Sequence, residues 1–271
     1  MPFVSSVRGS FGPQANRKRR LNGLTNATGG TITTAGGYRI HTFTAVGTST
    51  FGADADGPVE YLVVAGGGSG GSGHGGGGGA GGYRSGSLNV SSGNNTVVVG
   101  VGGVAGTYGS GNGSLAENSQ FSSIYATAGG IGGAQNMPSF RNAGTGGSGG
   151  GGAYTTDSPQ LKSGASGNAG GYSPVEGYAG GTPASTNWHG AGGGGSSGNG
   201  TYTGGRGGGG PGTSNSITGS AVTYAAGGSG QANTNDCETG SPNTGNGGGG
   251  ARDNTAGNGG SGIVVIRYQL S

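Results

Sequence analysis

Six glycine-dominated runs, at 66–82, 144–152, 164–171, 190–200, 204–212 and 245–250, decide most of what this chain can become. Glycine accounts for 78 of the 271 residues and hydrophobic residues for only 28%, so a single oil-like core cannot hold a chain of this length together. Glycine surrenders more backbone freedom on folding than any other residue, and its N–H and C=O groups must all find partners. Such runs are ordered only if their backbones satisfy one another. A polyproline-II-type helix has about three residues per turn, rises about 3.1 Å per residue and makes no internal hydrogen bonds. Stripped of side chains, rods of this kind can approach closely enough to bond to their neighbours. Proline is scarce (9 residues) and no Gly-X-Y period runs through the chain, which excludes collagen. What remains is a lattice of polyglycine-II helices, in which interior rods need glycine on every side and edge rods tolerate Ser, Ala and Asn. The pure stretch Gly75 to Gly79 is then an interior rod, and His74 marks an edge or a kink. A run of about nine residues would span roughly 28 Å. A silk-like stack of glycine and alanine strands is the competing arrangement, but the Gly-Ala alternation it requires is missing.

Strand signals punctuate the glycine. Tyr38-Arg-Ile-His-Thr-Phe-Thr44, Val59-Glu-Tyr-Leu-Val-Val-Ala65, Thr96 to Val101, Gln120 to Ala126, Ala221 to Ala225 and Ile263-Val-Val-Ile-Arg-Tyr268 are rich in β-branched and aromatic residues. Three of these end in the same junction, Ala65-Gly-Gly67, Ala128-Gly-Gly130 and Ala226-Gly-Gly228, which suggests one common base from which the glycine segments depart. The expected fold is therefore mostly β and irregular: a small β-sheet base, a packed lattice of polyglycine-II helices with connecting loops, and essentially no α-helix. The expected division is a basic N-terminal attachment arm (1–27), a β-strand base (28–65), and a glycine-rich body with loops and returning strands (66–271).

The formal charge is +3, and Arg17, Lys18, Arg19 and Arg20 alone contribute four positive charges, so the rest of the chain is nearly neutral. That distribution argues against a nucleic-acid-binding face. Gly204-Gly-Arg-Gly-Gly208 resembles one RGG element, but RNA-binding tails repeat it. Neither a secretory signal nor a membrane-inserting stretch is expected from the sequence. G-x-G-x-x-G matches carry no weight in so glycine-rich a chain, and no phosphate loop or repeated calcium nonapeptide occurs. Asp54-Ala-Asp56 and Asp236-Cys-Glu238 read as turn residues rather than calcium ligands. His41, His74 and His189 lack ligand spacing, and Cys237 stands alone. No cofactor, no metal and no enzymatic activity are expected; a depolymerase would need a carboxylate pair in a cleft.

The loops carry the functional expectation. They concentrate Phe140, Arg141, Tyr154, Tyr172, Tyr178, Trp188, His189 and Tyr202. Aromatic side chains offer rigid contact area at low entropic cost, as binding loops require. These residues either bind a receptor or cap the ends of the lattice, or do both.

The segments Ala27-Thr-Gly-Gly-Thr-Ile-Thr-Thr, Glu60-Tyr-Leu-Val-Val-Ala-Gly-Gly-Gly68, Gly79-Ala-Gly-Gly-Tyr-Arg84 and Gly262-Ile-Val-Val-Ile-Arg-Tyr268 resemble the glycine-rich virion proteins of tailed marine and cyanobacterial phages. In design the chain is also similar to the tail-fibre tip adhesins of T-even-like phages, in which a polyglycine-II sandwich carries receptor-binding loops. The resemblance implies a protein of the extracellular particle that recognises a host cell-surface protein or glycan through the loops, possible as a homo-oligomer. Arg8, Phe11, Arg17, Lys18, Arg19 and Arg20 would attach it to another virion protein. The alternative is a non-adhesive structural component, a capsid decoration or filament subunit.

Overall fold

A computed structural model describes residues 23–108, 114–135, 140–155, 163–184, 188–231 and 237–270. The expected attachment residues Arg8, Phe11 and Arg17 to Arg20 lie outside them. Thirteen strands follow one another: β1 (Thr31–Ala35), β2 (Tyr38–Phe43), β3 (Gly47–Ala53), β4 (Gly57–Val64), β5 (Tyr83–Val90), β6 (Gly93–Val99), β7 (Ser119–Phe121), β8 (Ile124–Ala126), β9 (Ala134–Gln135), β10 (Phe140–Arg141), β11 (Thr213–Asn215), β12 (Val222–Tyr224) and β13 (Ile263–Gln269). Among the described residues there is no helix.

All strand pairs are antiparallel, and two sheets form the base, in the orders β1-β2-β13-β4-β5 and β3-β6-β7-β8. Successive side chains of a strand point to opposite faces, so one face of each sheet can be apolar. Val59, Tyr61 and Val63 of β4 and Val264, Ile266 and Tyr268 of β13 pack against Phe51 of β3, Val97 and Val99 of β6, and Phe121 of β7. The two sheets therefore form a sandwich, with Phe51 and Phe121 meeting edge to face at 5.9 Å. Leu24 and Ala27 join this core, and the Ala27 N–H donates to the Tyr268 hydroxyl (3.0 Å). The other face of β4 and β13, Leu62, Val64, Ile263 and Val265, is covered by Ile217, Tyr224 and Ala225 around the β11–β12 hairpin and by Ala80. β4 and β13 thus bury both faces along 61–64 and 263–266, which explains the apolar runs there.

Two features differ from the sequence expectation. The segment 120–126 is not one strand but the tight hairpin β7–β8, because Ser122 adopts a left-handed backbone (φ 51°) and turns Phe121 back onto Ile124. Strands β1, β3 and β5 are built largely of Thr, Ser, Gly and Asn on exposed faces, and their strand character comes from pairing with apolar neighbours.

The glycine segments stand on this base as parallel rods held by backbone hydrogen bonds. The run at 66–82 is two rods, 65–72 and 75–82, because the chain reverses at Gly73 (φ 67°) and His74 (φ 50°). Along 75–82 the N–H groups of Gly75, Gly78 and Gly81 bond to the rod at 245–251. Those of Gly76, Gly79 and Gly82 bond to 127–133, and those of Gly77 and Ala80 to 190–195. Its carbonyls repeat the same period: Gly76, Gly79 and Gly82 accept from 65–72, Gly77 and Ala80 from 147–152, and Gly75 and Gly78 from 225–231. A bonding period of three residues toward six surrounding rods is the signature of a polyglycine-II lattice, with three residues per turn and every polar group directed outward. The stretch expected to be interior is its centre, and every residue from 75 to 82 is buried. A Cβ added at Gly75, Gly76, Gly77, Gly78 or Gly79 would lie 1.8–2.2 Å from a carbonyl oxygen of a neighbouring rod. Eight residues at about 3.1 Å each give this rod a length of about 25 Å.

Candidate functional site

The rods carry loops at two ends, one against the sheets and one away from them. At the sheet end Gly82 bonds to Thr127, Gly245 to Ser261, and Gly262 to Gly100. At the far end the Ser72 to Gly75 turn is the meeting point. The Gln135 N–H donates to Ser72 O (3.0 Å), Tyr154 N–H to His74 O (3.0 Å), Gln231 N–H to Gly75 O (3.0 Å) and His74 N–H to Arg252 O (3.2 Å).

This far end holds an aromatic cluster. Trp188 lies 5.7 Å from Tyr154 with the rings 32° apart, and 5.4 Å from His74 with the rings 64° apart. His74 and Tyr154 meet edge to face at 6.3 Å. The His74 Nδ1 is 2.8 Å from the Trp188 carbonyl oxygen, which ties the Trp188 loop to the 72–75 turn. Tyr154 is buried at 5% exposure whereas Trp188 is 62% exposed, so one ring is the foundation and the other the displayed surface. Aromatic pairs in this geometry add about 0.5–1.5 kcal/mol beyond area burial. His74 belongs to the cluster although the sequence marked it only as an edge or a kink. Its signal was being the one bulky residue inside the run at 66–82, where a turn projects it out of the lattice.

The remaining expected loop residues do not all gather at the far end. His189 follows Trp188; its Nδ1 is buried with no hydrogen-bond partner among the described residues, as are the Tyr202 hydroxyl and the Arg141 Nε. Burial lowers the Arg141 pKa from its ordinary value by desolvating the guanidinium. Phe140 pairs with Gln135 in the small β9–β10 hairpin; its side chain lies outside the described residues. Tyr172 is not at the far end. It sits in the 170–176 loop beside the sheets, with the Arg84 guanidinium of β5 4.0 Å from its ring centroid. Buried Glu176 anchors that loop, accepting from Thr127 N–H (2.9 Å) and Gly170 N–H (3.2 Å). Tyr178, 38% exposed, lies on the side of the lattice in a rod whose Gly181 reaches Gly192. The segment 172–189 is therefore not one loop but a sheet-end loop, a rod and a far-end loop.

Polar groups elsewhere act structurally. Arg206 of the single RGG element pairs with Glu238 (2.9 Å) and donates to Ser229. Asp54 accepts from the Thr25 hydroxyl (2.7 Å) and the Asn26 N–H (2.8 Å). Slight burial opposes its charge, but these hydrogen bonds prevail and lower its pKa. Asp56 accepts from Ser92 N–H (2.7 Å). Among the described residues no group of three or more His, Cys, Asp or Glu side chains could hold a metal ion, and no helix is long and apolar enough to cross a membrane.

No curated protein matches the chain. The profile of a glycine-rich domain family matches residues 42–269, a span that takes in the sandwich from the end of β2 to β13 together with the whole lattice. By that match the chain belongs to the glycine-rich domain family.

Proposed function

We propose that the protein is a virion protein of a tailed phage, a tail-fibre or fibre-tip adhesin that grips a host surface receptor with the far end of its lattice. The observation that carries this reading is Trp188, 62% exposed yet with its ring tilted against buried Tyr154 and its carbonyl held by His74. An exposed tryptophan held rigid by its neighbours is what a recognition hot spot requires, since little side-chain freedom is lost on contact. The lattice supplies the stiffness: its rods fix both ends of each loop. Recognition is reversible and involves no bond making or breaking. The basic segment ahead of Leu24, which itself packs into the sandwich, docks the protein to another virion protein, and deletion of residues 1–20 is expected to reduce incorporation into particles.

The test is binding of the purified, fluorescently labelled protein to intact candidate host cells, beside Trp188→Ala. The substitution removes the displayed ring and leaves the rod at 177–181 intact. Binding lost in the variant supports an adhesin with its site at the far end; equal binding by both moves the site elsewhere. Failure of both to bind any candidate host favours a non-adhesive structural component. One observation favours that second reading: Val101, Val104, Tyr108 and Leu115 are 36–69% exposed, and the segments 101–104 and 114–117 that carry three of them pair through backbone hydrogen bonds, so apolar side chains are open to neighbouring copies.

A further inference from the structure

The five-stranded sheet carries polar groups that neither the core nor the loops use. Arg267 of β13 is the cross-strand partner of Glu60 of β4, and Glu60 is the partner of Ser87 of β5, so the three stand in a row across the sheet. Arg267 donates through Nε (2.9 Å) and Nη2 (2.6 Å) to one oxygen only, Glu60 Oε2. The other oxygen, Oε1, has a single long contact from the Tyr38 hydroxyl (3.4 Å), and Arg267 Nη1 reaches only Ile217 O at 3.5 Å. The Tyr38 ring lies 4.3 Å from the guanidinium and holds it flat. An acceptor and a donor with spare capacity are thus fixed side by side on rigid strands.

Open space adjoins them on both sides. One cleft of about 250 Å³ lies between Glu60, Arg267, Ser85, Ser87, Asn215 and Ile217. A second, of about 190 Å³, opens toward Tyr38, Pro58 and Gln269 and shares Glu60, Ser87 and Arg267. Ser85, Gly86 and Ser87 are exposed, and their small size leaves the floor of the first cleft uncovered. Asn215 forms the wall: its amide is committed to the Tyr83 hydroxyl and the Ile217 N–H.

We infer that this double cleft is a binding site for a neutral saccharide, separate from the far-end loops. The charge decides the ligand class. Glu60 cancels Arg267, so a phosphate or carboxylate would gain no net attraction and would face the Glu60 oxygen directly. Adjacent sugar hydroxyls each donate and accept, and match Oε1, Nη1 and the serine hydroxyls. Ile217, 5% exposed, adds only a small apolar edge to a lining that is otherwise polar. The inference does not depend on the adhesin reading, since the site lies at the opposite end of the molecule.

The experiment is saturation-transfer-difference NMR on the full chain with D-galactose, N-acetyl-D-glucosamine and methyl α-D-mannoside, and with D-glucuronate as the charged control. At least one neutral sugar should receive saturation. Ser87→Leu, at an exposed strand position, fills the cleft and should weaken that sugar at least about tenfold, equivalent to about 1.4 kcal/mol. Arg267→Lys keeps the charge but loses the flat fork and should weaken it similarly; a thermal melt confirms that each variant is folded. Trp188→Ala should leave binding unchanged. The inference is overturned if no neutral sugar is saturated, if glucuronate is preferred, or if Trp188→Ala abolishes binding while both cleft variants retain it.

Discussion

Replacing Gly78 by Ala puts the lattice to its most direct test. Gly78 sits in the central rod, where its N–H bonds to Gly248 O (2.8 Å) and its carbonyl accepts from Gly228 N–H (2.9 Å). A Cβ there would lie 2.1 Å from Gly68 O and 2.6 Å from the Gly68 carbonyl carbon, and both are backbone atoms that cannot rotate away. Ordinary contact begins at 3.4 Å, so rods 65–72 and 75–82 must part by more than 1 Å at this point. Three hydrogen bonds join those rods: Ala65 N to Gly82 O (3.1 Å), Gly68 N to Gly79 O (2.8 Å) and Gly71 N to Gly76 O (2.9 Å). Such a separation takes the middle bond beyond hydrogen-bonding range and strains the others. At about 0.5–1.5 kcal/mol for the lost bond, with about 1–3 kcal/mol for overpacking, the cost is roughly 1.5–4.5 kcal/mol before the strain on the other two bonds. Reduced freedom of the unfolded chain returns only about 0.4–1 kcal/mol. Gly205→Ala is the control, because nothing lies within 4 Å of its Cβ; it should be neutral or slightly stabilising. Guanidinium chloride titration measures both, and the midpoint should fall in Gly78→Ala with an unchanged slope if the unfolding remains two-state. A folded Gly78→Ala within about 0.5 kcal/mol of the parent would refute close rod packing.

Three other outcomes are expected. His41 is buried between Phe51 and Tyr268, and desolvation lowers its pKa from 6.5 despite the bond from Nδ1 to Gly29 O and with some help from Arg39. Because the unfolded chain binds that proton more readily, stability is fully present above about pH 6.5 and declines as pH falls below it; His41→Phe should flatten denaturation midpoints between pH 7 and 5, and an unchanged slope would contradict the account. Glu176→Ala leaves the Thr127 and Gly170 N–H groups without their carboxylate, so a loss of about 2–4 kcal/mol is expected in urea titrations, with a smaller loss for Glu176→Gln, which keeps one acceptor oxygen. Phe51→Ala opens the centre of the sandwich and should cost about 3–5 kcal/mol by the same measurement.

The lattice was legible in the sequence because its requirement is local. An interior rod position whose Cβ would meet a neighbouring carbonyl must be glycine, so the glycines from 75 to 79 declare their own environment. The apolar stretches 61–64 of β4 and 263–266 of β13 were legible for a similar reason, since there both faces are buried and each residue shows it. Position in the assembly was not legible. That β13, the last strand, inserts between β2 and β4 depends on partners more than 190 residues away in sequence. That Tyr172 faces the sheets while Trp188 crowns the far end depends on which way the 177–181 rod runs, and a rod of Gly, Tyr and Ala has no marker of direction. The Glu60–Arg267 row is equally invisible, for it exists only in the register of two strands separated by the whole lattice. Backbone crowding is written residue by residue, whereas the meeting of side chains is decided by where the hydrogen-bonded rods and strands bring distant segments together.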